Sequence, residues 1–432
     1  MRGNSVLITR YPDPYKVYIF LSFAVGFLIA SGFGTSYYET VTAGLNPLQL
    51  TAVGAAMILS RLLFEIPTGV VADLYSRRLS VVIGFALIGL SLLVEGLFPF
   101  FAPILLAQAL WGLGYTFTSG ATQAWLSDEI GEERANRAFL TAQRYDLFGN
   151  LTGVLAGMLL GSLTSVSTLI LASGTGWIIL AVLLIFLMSE QGFKPTRPEE
   201  RNSFQYMGDI FRKGIRTVRL RPALLAVLGV TLFYSLTLGL DRLWVWFLVN
   251  RFDLPVPFGN SALGFFGLLE LGGILLSILL VHQVEKRFEI LEPRRVGRLM
   301  FAITTVTAIS IAAFGWVPFL GLASGLYLVI YSLGELADPL LMAWMNQRLD
   351  PDVRATILSL TGQAESVGQA IGGLVIGVLA NVLTVPLALL AAGGLLVPAL
   401  GFIRRANRYA AKQELPLEPE AIHPSLSTDE QV

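Results

Sequence analysis

The chain has 432 residues, of which 54% are hydrophobic and only 14% are charged, whereas a soluble globular protein carries about 25% charged residues. Its formal net charge is zero, so it lacks the basic field of a nucleic-acid-binding protein. With no cysteine, two histidines and no HExxH, P-loop or GxSxG motif, the sequence predicts neither a metal site nor an enzyme.

Apolar stretches of about 20 residues recur along the chain, and each is long enough to cross a bilayer as a helix. Backbone groups cannot stay unpaired in lipid, so these stretches must be helical. We predict an all-α integral membrane protein with twelve transmembrane spans. They are 17–38, 48–72, 79–98, 102–127, 137–162, 166–188, 222–248, 261–283, 298–315, 318–345, 356–383 and 385–403.

Lysine and arginine are distributed unevenly between the two sides of the predicted membrane. Of the 30 such residues, Arg251 alone falls on one side, and Arg61, Arg144 and Arg242 fall inside spans. The other 26 fall on the opposite side, which the positive-inside rule identifies as cytoplasmic. We therefore expect both termini to be cytoplasmic and the protein to lie in the plasma (inner) membrane.

A long polar loop, 189–221, divides the spans six and six. We predict an N-terminal six-helix bundle at 1–188, this loop as a cytoplasmic linker, a C-terminal six-helix bundle at 222–403 and a cytoplasmic tail at 404–432. Within the linker, apolar residues recur at helical spacing with Arg and Lys between them. This pattern favours an amphipathic helix on the membrane surface over an ordinary solvated linker.

The two halves of the chain resemble each other around the fifth and eleventh spans. Two residue types match there: an acid, then glycines at four-residue spacing that allow close helix packing. The matching pairs are Asp146 with Glu365, Gly149 with Gly368, Gly153 with Gly372 and, upstream, Trp125 with Trp344. Parallel half-repeats are a known design of transporters, with the site at the midplane between the repeats.

The segment GVVADLYSRR follows the second span. Its glycine, its aspartate four residues later and its basic pair resemble the loop pattern of the major facilitator superfamily, and the twelve spans resemble that family's fold. The resemblance implies that Gly69, Asp73, Arg77 and Arg78 form a cytoplasmic gate loop that helps to latch the transporter.

Elsewhere the sequence departs from the family's patterns. Leu74 and Ser76 replace a basic residue and a glycine in the gate loop. Gln108 stands where the fourth span usually carries arginine, and Val154 stands where the fifth span of antiporters usually carries proline.

Ionisable side chains recur inside the predicted spans. A charge at the bilayer centre costs about 2.5–3.5 kcal/mol, so these side chains must face each other or a water-filled cavity. Arg61 and Glu65 are four residues apart, and we predict a local ion pair between them. The candidates for proton coupling are Glu335, Asp338, Asp146, Glu365 and Asp241, and those for the substrate cavity are Arg144, Arg242, Glu270 and Gln108.

The acids of the tenth span, Glu335 and Asp338, share one helix face. Two acids this close repel each other when both are ionised, and a proton relieves the repulsion. One interpretation is a proton-coupling or cation-recognition site. The alternative is an interhelical clasp in which both acids pair with Arg144 or Arg242.

The sequence as a whole predicts a secondary transporter that works by alternating access. The first hypothesis is proton-coupled efflux of amphipathic or drug-like compounds. The second is uptake or exchange of a polar or anionic metabolite bound by Arg144 or Arg242, and the third is a non-transporting sensor or lipid-handling protein. We expect a monomer in the lipid bilayer that binds a small-molecule substrate but no nucleic acid, and that uses the proton gradient without a cofactor.

Overall fold

The computed structural model describes residues 11–195, 222–238, 242–259, 261–287, 293–346 and 351–413, and these residues are helical apart from short connections. The helices of this part of the chain are α1 (Pro14–Ser31), α2 (Thr35–Val41), α3 (Pro47–Leu74), α4 (Arg77–Leu97), α5 (Phe101–Thr118), α6 (Ala121–Ile130), α7 (Glu132–Leu163), α8 (Val166–Leu187), α9 (Pro222–Leu238), α10 (Leu243–Arg251), α11 (Leu263–Arg287), α12 (Pro293–Phe314), α13 (Leu320–Asn346), α14 (Pro351–Val382), α15 (Val385–Leu395) and α16 (Val397–Gln413).

These helices make twelve crossings of the membrane. Ten helices or helix pairs in the described ranges are long and apolar enough to span it, and the pairs α5–α6 and α9–α10 make the other two. The break between α5 and α6 falls at Gly120, whose φ of +74° favours glycine. Residues 196–221 and 414–432 lie outside the described ranges, so the predicted surface helix and most of the tail remain predictions.

Polar caps and prolines define where several helices begin. Asn46 caps α3 and forms a reciprocal capping box with Gln49, with Pro47 at the first helical position. The Ser76 hydroxyl caps α4 by accepting from the Leu79 backbone N–H, and the Thr384 hydroxyl caps α15 by accepting from that of Leu387. These signals place the ends of the helices, and therefore the connections, at the two faces of the membrane.

The helices form two bundles, α1–α8 and α9–α16, with the same internal arrangement. In the first bundle α7 packs on α1, and an added Cβ at Gly149 or Gly153 would clash with backbone carbonyl groups of α1. In the second bundle α14 packs on α9, where a Cβ at Gly372 would clash with the backbone of Leu236. The predicted half-repeat is thus visible as equivalent close helix contacts.

The two bundles pack tightly against each other at one end of the membrane-spanning region. We call the end that carries Lys16, Arg77 and Arg404 the basic end, and the other the closed end. At the closed end an added Cβ at Gly377 of α14 would clash with Thr51 of α3. Gly259, before α11, packs against the Ser162 backbone of α7 in the same tight manner, and a Cβ at Gly264 would lie 3.3 Å from Ser162 Oγ.

The basic end is open between α3 and α14. An added Cβ at Gly69 of α3 or at Gly362 of α14 would meet no atom within 4 Å. A gap of about 440 Å³ separates these helices and is lined by Arg61, Glu65 and Gly362, among other residues. The space between the two bundles is therefore open at the basic end in this conformation.

Candidate functional site

A cavity of about 480 Å³ lies in the second bundle, between α9, α11, α12, α13 and α14. Four of the predicted site residues line it: Glu270, Glu335, Asp338 and Glu365. All but two of its lining residues belong to the second half of the chain, and no lysine or arginine is among them. The structure thus gathers four carboxyl groups around one cavity, and the described residues of its wall include no lysine or arginine.

Glu270 of α11 lies at the more enclosed part of the cavity. Two tyrosines of α13 donate to it: the Tyr331 hydroxyl lies 3.3 Å from its Oε1 atom, and the Tyr327 hydroxyl lies 3.4 Å from its Oε2 atom. Trp244 of α10 stacks on Tyr327, with 3.9 Å between the ring centroids. We call Glu270, Trp244, Tyr327 and Tyr331 the aromatic box.

Glu335 and Asp338 lie one and two turns beyond Tyr331 on α13, and their side chains are exposed to the cavity. Among the described residues neither makes an ion pair with lysine or arginine, so the predicted clasp with Arg144 or Arg242 is not formed. Their charges interact instead with other acids: Glu335 with Glu270, and Asp338 with Glu365.

Glu365 of α14 lies between the cavity and the gap beside α3. Gln369 Nε2 donates to its Oε1 atom over 3.3 Å. The equivalent residue of the first half, Asp146, is contacted in the same way by Asn150 over 3.2 Å. However, Asp146 packs beside Gly26 of α1 and does not line the cavity, so the half-repeat is equivalent in structure and not in its exposure to the cavity.

A buried polar network joins the two bundles at the closed end. Arg242 forms an ion pair with Glu39 of α2 and donates to Gln108 Oε1 over 3.1 Å. Gln108 Nε2 in turn donates to Glu95 Oε2 of α4 over 2.8 Å. Glu39 and Glu95 are completely buried, and Tyr38 donates to the Glu95 carbonyl group over 2.7 Å. We call Glu39, Arg242, Gln108 and Glu95 the closed-end network.

This network changes the roles predicted for two residues. Arg242 and Gln108 were expected to face the substrate, but they join the bundles and do not line the cavity. Sequence reasoning missed both acids of the network. Glu39 stands one residue beyond the predicted end of the first span, and Glu95 stands inside the third predicted span, where a count of every acid within the spans would have found it.

The remaining predicted site residues lie elsewhere. Arg144 is exposed on α7 and does not line the cavity, and Asp241 lies outside the described residues. The Arg61 guanidinium lies over the ring of Tyr115, 4.2 Å from its centroid. Both Arg61 and Glu65 are within the described ranges, and the predicted ion pair between them is not formed; an exposed carboxylate gains little from such a pair.

Comparison with known proteins agrees with this architecture. A family model for the Major Facilitator Superfamily matches residues 19–373. The chain belongs to this superfamily.

Individual members of the superfamily resemble the chain over most of its length. An uncharacterized MFS-type transporter of Bacillus subtilis (strain 168), YxaM, is 24% identical over 345 residues, which cover 77% of this chain and 80% of that protein. The solved structure of the nucleoside transporter NupG superposes with a TM-score of 0.68 and 14% identity, covering 92% of this chain and all of that one. A bacterial homolog of the human lysosomal transporter Spinster gives 0.69 and 16%, covering 93% and 98%.

The superfamily identifies the chain as a multi-pass membrane transporter and not an enzyme. The residues predicted to form a gate loop lie in the last turns of α3 and the first turn of α4. Arg77 pairs with Asp128 of α6 over 2.8 Å and with Asp73 over 3.8 Å, and the Arg78 backbone N–H donates to Glu190 over 3.0 Å. These contacts all lie within the first bundle, which agrees with an open basic end.

Proposed function

We propose that this transporter couples the inward movement of protons to the export of amphipathic small molecules, with its basic end in the cytoplasm and the protein in the plasma membrane. The observation that carries this proposal is the acidic cavity, which is open toward the basic end. Its four carboxyl groups come from α11, α13 and α14, and its described wall supplies no lysine or arginine.

The charge of the cavity supports exchange of a proton for a substrate. Carboxylates that share a poorly hydrated cavity repel one another, and that repulsion is relieved by protons or by a bound positive group. Glu335 and Asp338 are exposed to the cavity and can exchange protons with its water. A substrate that neutralises the same charge competes with those protons, and mutual exclusion at one site is the thermodynamic basis of antiport.

The charge of the cavity also disfavours uptake of an anionic metabolite. That hypothesis needs a free arginine at the substrate, but Arg242 is engaged by Glu39 and Gln108. Arg144 does not line the cavity. Four carboxyl groups would repel an anion.

The proposal is tested by dye efflux from cells that express the protein. We expect expression to lower the accumulation of an amphipathic fluorescent dye, and a protonophore to abolish the difference. A double variant, Glu335→Gln with Asp338→Asn, should lose the efflux, whereas Glu285→Gln, an exposed acid of α11 outside the cavity, should retain it. Efflux by the double variant at the wild-type rate would contradict the assignment of coupling to α13.

A further inference from the structure

The aromatic box combines a carboxyl group with three aromatic side chains, all of which line the cavity. Trp244 and Tyr327 are stacked with an angle of 23° between their planes, and the Tyr331 ring lies 6.0 Å from Tyr327. Phe266 meets the edge of Trp244 at 5.5 Å and holds that ring in place. Electron-rich ring faces and a carboxylate attract the same kind of ligand group, a positive charge with little hydration.

Among the described residues, no lysine or arginine forms an ion pair with Glu270, so its carboxyl group is available to a cationic ligand. Both its oxygen atoms face tyrosine hydroxyl groups, at 3.3 and 3.4 Å, which are long for O–H···O hydrogen bonds. The interactions it makes in the cavity wall are with Tyr327, Tyr331 and the charge of Glu335. The carboxyl group is therefore oriented by two donors while its negative charge stays unmatched within the described wall.

The rest of the cavity suits an apolar body. Ile311 and Phe314 of α12, Ile330 and Leu341 of α13, and Leu389 of α15 line it. Its volume of about 480 Å³ lies within the range of pockets that hold drug-sized ligands, about 300–1,000 Å³. A ligand that fills this space presents apolar groups to these side chains and a compact charge to the aromatic box.

The acids do not form a cluster suited to a metal ion. Among the described residues no group of three or more His, Asp or Glu side chains is arranged to hold one. The four carboxyl groups follow the length of the cavity instead, with Glu270 at the aromatic box and Glu335 and Asp338 nearer the basic end. This spacing allows Glu270 to bind a ligand at one part of the cavity while Glu335 and Asp338 exchange protons at another.

We propose that the aromatic box binds the charged head of an amphipathic organic cation, such as a quaternary or protonated amine, while Glu335 and Asp338 carry the exchanged protons. This inference rests on the proposed export function and names its substrate class. Glu365 of α14 and Tyr234 of α9 interact electrostatically with Asp338, and Glu270 interacts with Glu335. A proton on the α13 acids and a cation at Glu270 thus change the same local field.

The test uses two probes of the same size and shape but opposite charge, tetraphenylphosphonium and tetraphenylborate. Their binding to the purified full chain is measured by equilibrium dialysis against protein-free micelles, at several pH values. We expect the phosphonium to bind, with an affinity that falls as the pH falls, and the borate to show no saturable binding. Glu270→Gln and Trp244→Leu should each weaken phosphonium binding about tenfold, since both remove part of the attraction to the cation.

Further variants distinguish cation binding at the aromatic box from proton exchange at Glu335 and Asp338. Glu285→Gln leaves the cavity intact and should bind the phosphonium within about threefold of wild type. The double variant Glu335→Gln with Asp338→Asn should bind it with an affinity that changes less with pH than that of the wild type, because Glu270 and Glu365 remain in the described wall. Size-exclusion profiles and melting temperatures show whether each variant is folded.

Two results would overturn the inference: equal binding of both probes, or wild-type phosphonium affinity in both folded variants, Glu270→Gln and Trp244→Leu. Either result would leave proton-coupled efflux of a dye in cells unaffected. Conversely, if the phosphonium binds as expected but a protonophore has no effect on efflux, the coupling proposal fails and the binding site stands. The two proposals therefore fail separately.

Discussion

At the scale of single residues, the closed-end network contains more acid than base. Two completely buried carboxyl groups, Glu39 and Glu95, share Arg242 and the amide of Gln108. Removing one partner of a buried ion pair costs about 3–5 kcal/mol, because the other charge loses its compensation. Since Arg242 belongs to the second bundle and the other three residues to the first, breaking this ion pair should weaken the contact between the bundles at the closed end.

Neutralising Glu39 should therefore open the closed end more often. Because the chain has no cysteine, a single Ser162→Cys substitution gives a reporter at a position that is only 1% exposed. We expect Glu39→Gln to raise the labelling rate of this cysteine by a water-soluble maleimide at least tenfold. Thr164→Cys, which is exposed, corrects for intrinsic reactivity, and an unchanged ratio of the two rates would show that the network is not a lock.

The sequence predicts site residues only as far as charge in a span is informative. Glu270, Glu335, Asp338 and Glu365 were predicted on that ground, and all four line the cavity. Asp146 satisfied the same criterion but faces α1, because the rotation of a helix about its axis is fixed by packing and not by its own composition. Partners from distant helices, such as Glu39 for Arg242, depend on the same unknown rotation.

At the scale of elements, the glycines of α7 allow it to pack on α1 at backbone distance. The hydrophobic pattern predicts that both helices exist and where they run, since lipid enforces helix wherever the chain is apolar. It does not predict the breaks between α1 and α2 or between α5 and α6, which depend on backbone geometry. Helix α7 also begins before the predicted span, at Glu132. A helix can extend beyond the lipid where acidic side chains in its first turn interact favourably with the helix dipole.

Replacing a glycine at this helix contact should destabilise the first bundle. In Gly153→Ala the added Cβ would overlap the Phe27 carbonyl group, and overpacking of this kind costs about 1–3 kcal/mol. We expect a lower melting temperature for the purified variant. Gly325→Ala is the matched control, because its Cβ would meet no atom within 4 Å; if both variants melt alike, close packing of α7 on α1 is not a source of stability.

At the scale of the whole molecule, the glycine contacts are asymmetric between the two ends. Gly377 is tightly packed between the bundles at the closed end, whereas Gly69 and Gly362 have open space around them at the basic end. Alternating access requires the opposite arrangement as well, in which α3 and α14 approach each other at the basic end. The small side chains at Gly69 and Gly362 then become necessary.

A bulky residue at the open cleft should block closure without disturbing the conformation described here. We expect Gly362→Leu to keep the wild-type melting temperature and to lose dye efflux. Gly325→Leu, also at a glycine without neighbours, should keep both properties. Wild-type efflux by Gly362→Leu would mean that α3 and α14 do not meet at this position during the cycle.

The location of the cavity has a consequence for how such a protein diversifies. Among the described residues of the first half, only Phe33 and Ser36 line it, so the two halves of the repeat contribute unequally to the cavity. The second half forms most of the cavity wall, and the first half packs against it. A chimera that joined residues 1–188 to the second half of a relative should therefore have the substrate specificity of that relative. Substitutions in the second bundle can then change the substrate while the first bundle stays the same.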